Sequence, residues 1–289
     1  MKKVLLASAL IIICLALGLN FRTPQLENNE TISPPKAVDH NNNTSKEEAR
    51  VLDILGNSDN LSPQEWTAMQ AWRKNVQQMA SENTASLFLN GSSPKAQVAL
   101  TFDDGPDEEF TTRVLDVLKQ YHVPATFFFK GNQLDRYASV AKRAYEEGNL
   151  IASHAYSHQE LDKMSAPDIE KEIVATDKAF ERVLGVQPAM IRPPFGAINQ
   201  DVLEVCSNNQ EKVILWSIDT LDWSQPEPDH IAQNVLKNVR PGDIILMHSC
   251  KDREATVQAL PKIIEGLQLK GYEMVDLSKL LKIPAYKTL

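Results

Sequence analysis

Cysteine is scarce in this chain, three in 289 residues, and one of them, Cys14, falls inside an apolar N-terminal run. So low a count cannot supply a disulfide framework, which leaves a hydrophobic core to hold the fold. Cys206 and Cys250 form one remaining pair, open to a bridge or to two ordinary buried thiols. Basic residues are in the minority, 30 Lys and Arg against 38 Asp and Glu, for a net charge of -8. They are also scattered, which excludes an electrostatic footprint for nucleic acid and electrostatic docking on anionic lipid or a teichoic-type polymer. Histidine numbers only six, so any clustering of it carries information. What the chain does have is 43% hydrophobic residues, enough to fill the core of one large α/β domain with an appendage, or of two small domains.

The N-terminus reads as an export signal. Lys2 and Lys3 precede the apolar stretch Val4–Leu19, 16 residues long, and polar sequence follows. That length fits both a cleaved signal peptide, with Ala16 and Gly18 as a weak small-x-small site, and an uncleaved membrane anchor. Bulky Ile13 before Cys14 argues against lipidation. Residues 20–44, rich in Asn, Pro, Thr and Glu, have the composition of a tether. Two helix starts come next: Ser45 with Glu48, then Ser62-Pro63-Gln64-Glu65, each a capping box, predicting two short helices. In the second, Trp66, Met69, Trp72, Val76 and Met79 recur at helical spacing, a stripe for packing on the main domain rather than an aromatic sugar platform.

From Lys95 the texture changes. Seven β-type runs, "AQVALTF", "PATFFFKG", "GNLIASH", "PAMIRPPF", "KVILWSID", "GDIILMHS" and "GYEMVDL", alternate with helical stretches near 109–121, 136–147, 167–184, 199–209, 228–239 and 256–269. Strict alternation predicts a parallel sheet, and seven runs in so short a span predict an α/β fold closed as a distorted (β/α) barrel. Reactive groups of such barrels lie at the C-terminal strand ends. There the polar residues gather: Asp103 and Asp104 on the first run, His154 on the third, Arg192 on the fourth, Asp219 and Asp222 on the fifth, His248 on the sixth.

His154 and His158 stand four apart, a spacing that lets two imidazoles chelate one ion from the same side of a helical turn. A zincin would carry Glu after its first His. Here that position is Ala155, so a base must come from the adjacent carboxylates. Two His and one carboxylate leave an open position for water, the donor set of a catalytic zinc site.

These residues resemble the NodB-homology polysaccharide deacetylases, carbohydrate esterase family 4, over about residues 94–282. Five motifs occur in order: "TFDDG", "HAYSH", "RPPFG", "DTLDW" and "LMH". The resemblance implies a distorted barrel of about seven parallel strands at 94–282, preceded by the signal or anchor (1–19), linker (20–44) and short helical region (45–93) and followed by a tail (283–289). It implies Asp103 as general base, Asp104, His154 and His158 as metal ligands, and Arg192 as the arginine holding the base. It further implies the Phe195 backbone N–H as an oxyanion donor, Asp222 as the carboxylate tuning the catalytic histidine, Trp223 and Leu246 as walls of the acetyl pocket, and His248 as general acid. The implied cofactor is one divalent metal, zinc by donor type, with cobalt, nickel or manganese able to enter the same site. Two positions depart from the family pattern. Ala155 replaces a Ser or Thr whose hydroxyl bonds within the loop, predicting a looser metal loop by about 1 kcal/mol, and Phe195 replaces the more common Tyr.

The implied partner is an acetylated glycan polymer, met outside the cytoplasm by a secreted or surface-anchored chain. Peptidoglycan N-acetylglucosamine fits an exported, tethered protein best. Chitin or chito-oligosaccharide, O-acetylated xylan, and a wall-binding module without catalysis are the alternatives. A degenerate module should have lost the base or a ligand, and none is missing.

Overall fold

The computed structural model describes residues 51–92 and 94–288. The readings of 1–19 as signal or anchor, of 20–44 as linker and of the Ser45 cap lie outside these residues. Among the described residues no helix is long and apolar enough to cross a membrane.

Helix α1 (Pro63–Glu82) starts from the expected capping box: Ser62 Oγ accepts from the Glu65 N–H, and Glu65 Oε2 accepts from the Ser62 N–H at 2.8 Å. It runs 20 residues, not the short helix expected, because no breaker interrupts it before Asn83. Residues 51–61, which follow the Ser45 cap, carry no helix. Leu55 there pairs in parallel with Ile218, its N–H donating to Ser217 O at 2.9 Å.

After α1 come β1 (Leu87–Phe88), β2 (Gln97–Asp103), α2 (Phe110–Tyr121), β3 (Thr126–Phe129), α3 (Gly131–Leu134), α4 (Ala138–Glu146) and β4 (Leu150–Ser153). Next are α5 (Ala166–Leu184), β5 (Met190–Ile191), α6 (Gln200–Asn208), β6 (Lys212–Ile214), β7 (Ile218–Asp219) and α7 (Pro228–Leu236). The described chain closes with β8 (Ile244–His248), α8 (Glu254–Leu269), β9 (Glu273–Met274) and α9 (Leu277–Leu281). The sheet order is β1-β6-β5-β4-β3-β2-β8-β7, with β9 beside β2 and every ladder parallel. All seven predicted runs contain strand, and β1 is an addition too short to show periodicity.

The run "KVILWSID" is not one strand. It divides into β6 and β7, which lie near opposite ends of the sheet order with only Leu215–Ser217 between them. A three-residue link spans roughly 14 Å at most, so the sheet must curl until its two ends almost meet. The seam has no β1–β7 ladder; Leu215 N–H donates to Phe88 O at 2.8 Å on one side and Ser217 N–H to Ile244 O at 3.0 Å on the other. Closure is therefore incomplete, which is the distortion of this barrel.

Strand periodicity decides what faces inward. Val98, Leu100 and Phe102 pack outward with Ile245 and Met247 beneath α2, α7 and α8. Ala99, Phe128, Ala152, Ile244 and Leu246 belong to a second core with residues of α1, α5 and α6. Thr101, Asp103 and His248 continue the inward rows. Past Lys282 the chain docks back: Lys287 Nζ meets Asp177 at 2.7 Å and Glu211 at 3.0 Å, a nearly buried cluster.

Candidate active site

Asp103 is the last residue of β2, on the inner face two positions after Thr101. Both reach Arg192, just after β5: Nη1 donates to Asp103 Oδ1 at 2.7 Å and to Thr101 Oγ1 at 2.9 Å. The same guanidinium donates to Ile214 O and Leu215 O and sits 4.0 Å from the centre of the Phe128 ring. Arg192 is fully buried and Asp103 nearly so. Breaking such a pair by removing one partner costs about 3–5 kcal/mol, because the other charge is left stranded.

Asp104 leaves the strand with φ of 73°, so its side chain does not follow the alternation to the outer face. Gly105 makes room for this turn: a Cβ there would meet Phe129 Cε1 at 2.7 Å and Thr111 Oγ1 at 2.9 Å. Oδ1 of Asp104 becomes a hub, 2.8 Å from His158 Nε2, 3.8 Å from His154 Nε2 and 3.6 Å from Lys130 Nζ. One ligand atom from each of Asp104, His154 and His158 lies within 4.8 Å of the others. The sequence reading of a helical turn is corrected here, because 154–158 is irregular. Left-handed backbone at Ala155 (φ 58°) and His158 (φ 66°) brings the imidazoles together instead, ring centroids 5.0 Å apart.

The donor set suits a divalent cation. His154 Nδ1 lies 2.7 Å from Arg192 O, and a carbonyl can only accept, so the proton sits on Nδ1 and the Nε2 lone pair faces the cluster. Burial pushes His154 down to about 4, keeping it neutral at pH 7. Burial would raise Asp104, but the His158 hydrogen bond and the surrounding imidazoles hold it far below the usual carboxylate range.

Ala155 is fully buried and offers no hydroxyl. Support for the loop comes from α5, where Glu172 accepts from the Tyr156 N–H at 2.9 Å, the Ser157 N–H at 2.7 Å and Ser157 Oγ at 2.8 Å. Sequence reasoning missed Glu172. It lies 14 residues beyond His158 in a polar helical stretch, where no local pattern separates it from its acidic neighbours.

Across the rim, the β2–β8 register sets Asp103 opposite His248. His248 Nδ1 lies 2.7 Å from Asp222 Oδ1, while Asp222 Oδ2 accepts from the His248 N–H at 2.8 Å and from Thr256 Oγ1 at 2.6 Å. Burial alone would lower His248, yet Asp222 outweighs it and raises the imidazole to about 9. Asp219, ending β7, is pushed up to about 6 by burial.

These groups open onto a cavity of about 400 Å³. Phe195, Trp223 and Leu246 line it, with Phe195 at φ 61° and 64% exposed, its ring edge-on to His158. Trp216, Arg253, Met69 and Trp72 line it as well. The last two belong to the α1 stripe: Trp72 packs on Trp216 with centroids 5.3 Å apart, and its Nε1–H donates to Gly196 O at 3.1 Å. The packing stripe is thus also a wall of the site. Cys206 and Cys250 are both free, Cys206 in the core and Cys250 with its sulfur 3.7 Å from Asp104 Oδ2, its thiol pushed up to about 12 by burial.

Comparison with known proteins places this arrangement among relatives. Residues 90–214 match the family described as polysaccharide deacetylase. A peptidoglycan-N-acetylglucosamine deacetylase of Bacillus cereus is 40% identical over 196 residues, covering 67% of this chain and 71% of that protein. A crystal structure of a peptidoglycan N-acetylglucosamine deacetylase bound to an aromatic N-hydroxy-benzamide superposes with a TM-score of 0.70 at 37% identity, covering 72% of this chain and 99% of that one. A pseudoenzyme of carbohydrate esterase family 4 from Bacillus anthracis gives 0.64 at 29% identity, over 68% of each chain.

Proposed function

Because this chain belongs to the polysaccharide deacetylase family, carbohydrate esterase family 4, we propose that it hydrolyses the N-acetyl groups of N-acetylglucosamine in peptidoglycan, using one divalent metal, zinc by donor type, held by Asp104, His154 and His158. The observation that carries the reading is the pairing of two differently partnered carboxylates, Asp103 with Arg192 and Asp222 with His248, on either side of that triad. A bound metal supplies Lewis acidity at the acetyl carbonyl and lowers the pKa of a water at the open position.

The remaining work falls to the chain. An amide is a poor electrophile with a poor leaving group, so its hydrolysis needs a base for the water and an acid for the amine. Asp103, positioned by its hydrogen bond from Arg192 Nη1, takes a proton from the attacking water as the oxygen–carbon bond forms. The Phe195 backbone N–H donates to the oxygen that gains charge, a contribution worth about 3–4 kcal/mol for one such donor elsewhere. His248, protonated through Asp222, gives its proton to the nitrogen as the carbon–nitrogen bond breaks. Acetate and a free glucosamine amine result. Trp223 and Leu246 bound the space for the acetyl methyl.

The relatives' activity on peptidoglycan N-acetylglucosamine supports that polymer, and the predicted export signal supports action outside the cytoplasm by a secreted or anchored chain. Acetate release from purified peptidoglycan, chito-oligosaccharide and acetylxylan, each before and after chelation, tests the reading. Release should be highest from peptidoglycan, vanish on chelation and return with added zinc. Inert peptidoglycan with reactive xylan would overturn the substrate, and undiminished release in chelator would overturn the metal.

A further inference from the structure

Two cavities meet beside the catalytic rim. The active-site cavity of about 400 Å³ adjoins a second of about 500 Å³, which lies between residues 222–226 and the start of α8. Trp223 and Arg253 line both, so the second continues the first. A glycan is longer than the one sugar that reacts, and its next sugar needs a surface of this kind. Trp223, 42% exposed, offers a flat apolar face on which a sugar ring can lie.

Arg253 supplies the charge. It is half-buried, and among the described residues its only hydrogen bond is a long one, from Nη1 to Asp252 O at 3.4 Å. Nε is buried and unbonded. Nη2 is unbonded too but is not buried, which makes it the nitrogen that a ligand in the cavity can reach.

The acids around Arg253 are engaged elsewhere. Asp222 holds His248 and Thr256, and Glu254 accepts from Arg113 Nη2 at 2.8 Å and from Gln258 Nε2 at 2.8 Å. Asp252 is exposed and forms no ion pair with its neighbour. A partly desolvated guanidinium without a protein counter-charge favours an anionic oxygen from the ligand, and such charge-assisted bonds are among the strong ones.

We infer that Arg253 is a specificity residue, binding a carboxylate carried by the sugar next to the reacting N-acetylglucosamine. The inference rests on the proposed deacetylation for the place of the reacting sugar. In peptidoglycan the neighbouring muramic acid bears a lactyl ether whose carboxyl is either free or extended by a peptide with carboxylates of its own. In chitin the neighbouring sugar is neutral. Arg253 thus distinguishes the two polymers, with the lactyl group and the peptide as two sources of the same chemistry.

Initial rates of acetate release from chitotetraose, from a peptidoglycan tetrasaccharide stripped of peptide, and from the same tetrasaccharide with its peptides test it. The unaltered chain should show a higher kcat/KM on an acidic substrate than on chitotetraose, and added salt should shrink that preference. Arg253→Gln should reduce the preference about ten-fold, through KM, with partial rescue in Arg253→Lys. A reduction seen with the stripped tetrasaccharide identifies the lactyl carboxylate, and one confined to the peptide-bearing substrate identifies the peptide. No preference in the unaltered chain, a preference indifferent to salt, or equal losses on all three substrates in Arg253→Gln would overturn the inference, the last by giving Arg253 a structural role. The salt response of the unaltered chain decides alone should Arg253→Gln fail to fold. Calorimetric binding of the same oligosaccharides to the chelated full chain repeats the comparison without turnover. Absence of acetate release from all three would therefore overturn the deacetylation, and the binding contrast would still decide the role of Arg253.

Discussion

Two buried carboxylate–cation pairs stand across the rim at the same 2.7 Å, Asp103 with Arg192 and Asp222 with His248, and they differ in one respect. A guanidinium keeps its proton throughout the accessible pH range, whereas an imidazole can release one. The first pair therefore has no proton to release, and the second has one. Similar geometry yields opposite chemistry because the partner, not the carboxylate, decides what can move.

The strongest way to break the contrast is to neutralise the fixed-charge side. Asp103→Asn should lower acetate release by about 10²–10⁴-fold while metal binding, read by titration with a chromophoric chelator, persists. Retention of turnover would remove Asp103 as base. Neutralising the mobile-proton side should do less but change the shape of the pH profile. His248 at about 9 is raised above its usual 6.5, so its pairing stabilises the fold fully below about pH 6.5 and that contribution disappears as pH rises through about 9. The same titration removes the acid, so activity should fall on the alkaline side near that value. In Asp222→Asn the alkaline limb should move to lower pH and turnover at neutral pH should fall by about 10²-fold; an unmoved limb would assign it to another group.

Smaller effects sharpen a second contrast, between these strand-built pairs and the loop-built triad. Glu172→Gln should weaken metal affinity by about ten-fold, the lower end for an outer support, while leaving the alkaline limb in place. Ala155→Ser tests whether the hydroxyl absent from this loop matters once Glu172 holds it. A change in metal affinity within about five-fold, equivalent to about 1 kcal/mol, is expected from equilibrium competition with a chelator. A much larger gain would make the hydroxyl, not Glu172, the principal support of this loop type.

Legibility followed the range of the interaction. Asp103, His154, Arg192 and His248 were readable because each ends an apolar run, and in a parallel sheet those ends share one rim. The break of "KVILWSID" into β6 and β7 was not readable, since every residue in it is compatible with one strand. Only the need to join the two ends of a curled sheet divides it. Glu172 and the α1 wall were hidden for a related reason. A helical stripe announces that a face is buried, not what buries it, and the Trp66–Met79 pattern was compatible with packing alone.

By itself, the sequence determined the alternation of strand and helix, the inward rows of β2 and β8, and the chemical types gathered at the strand ends, because periodicity and residue type act locally. Tertiary structure alone decided which oxygen of which aspartate each cation meets. It turned Asp104 through a left-handed backbone toward His158 while Asp103 stayed in register beside His248. Those outcomes depend on contacts between residues far apart in the chain, where a shift of a few ångströms changes the partner.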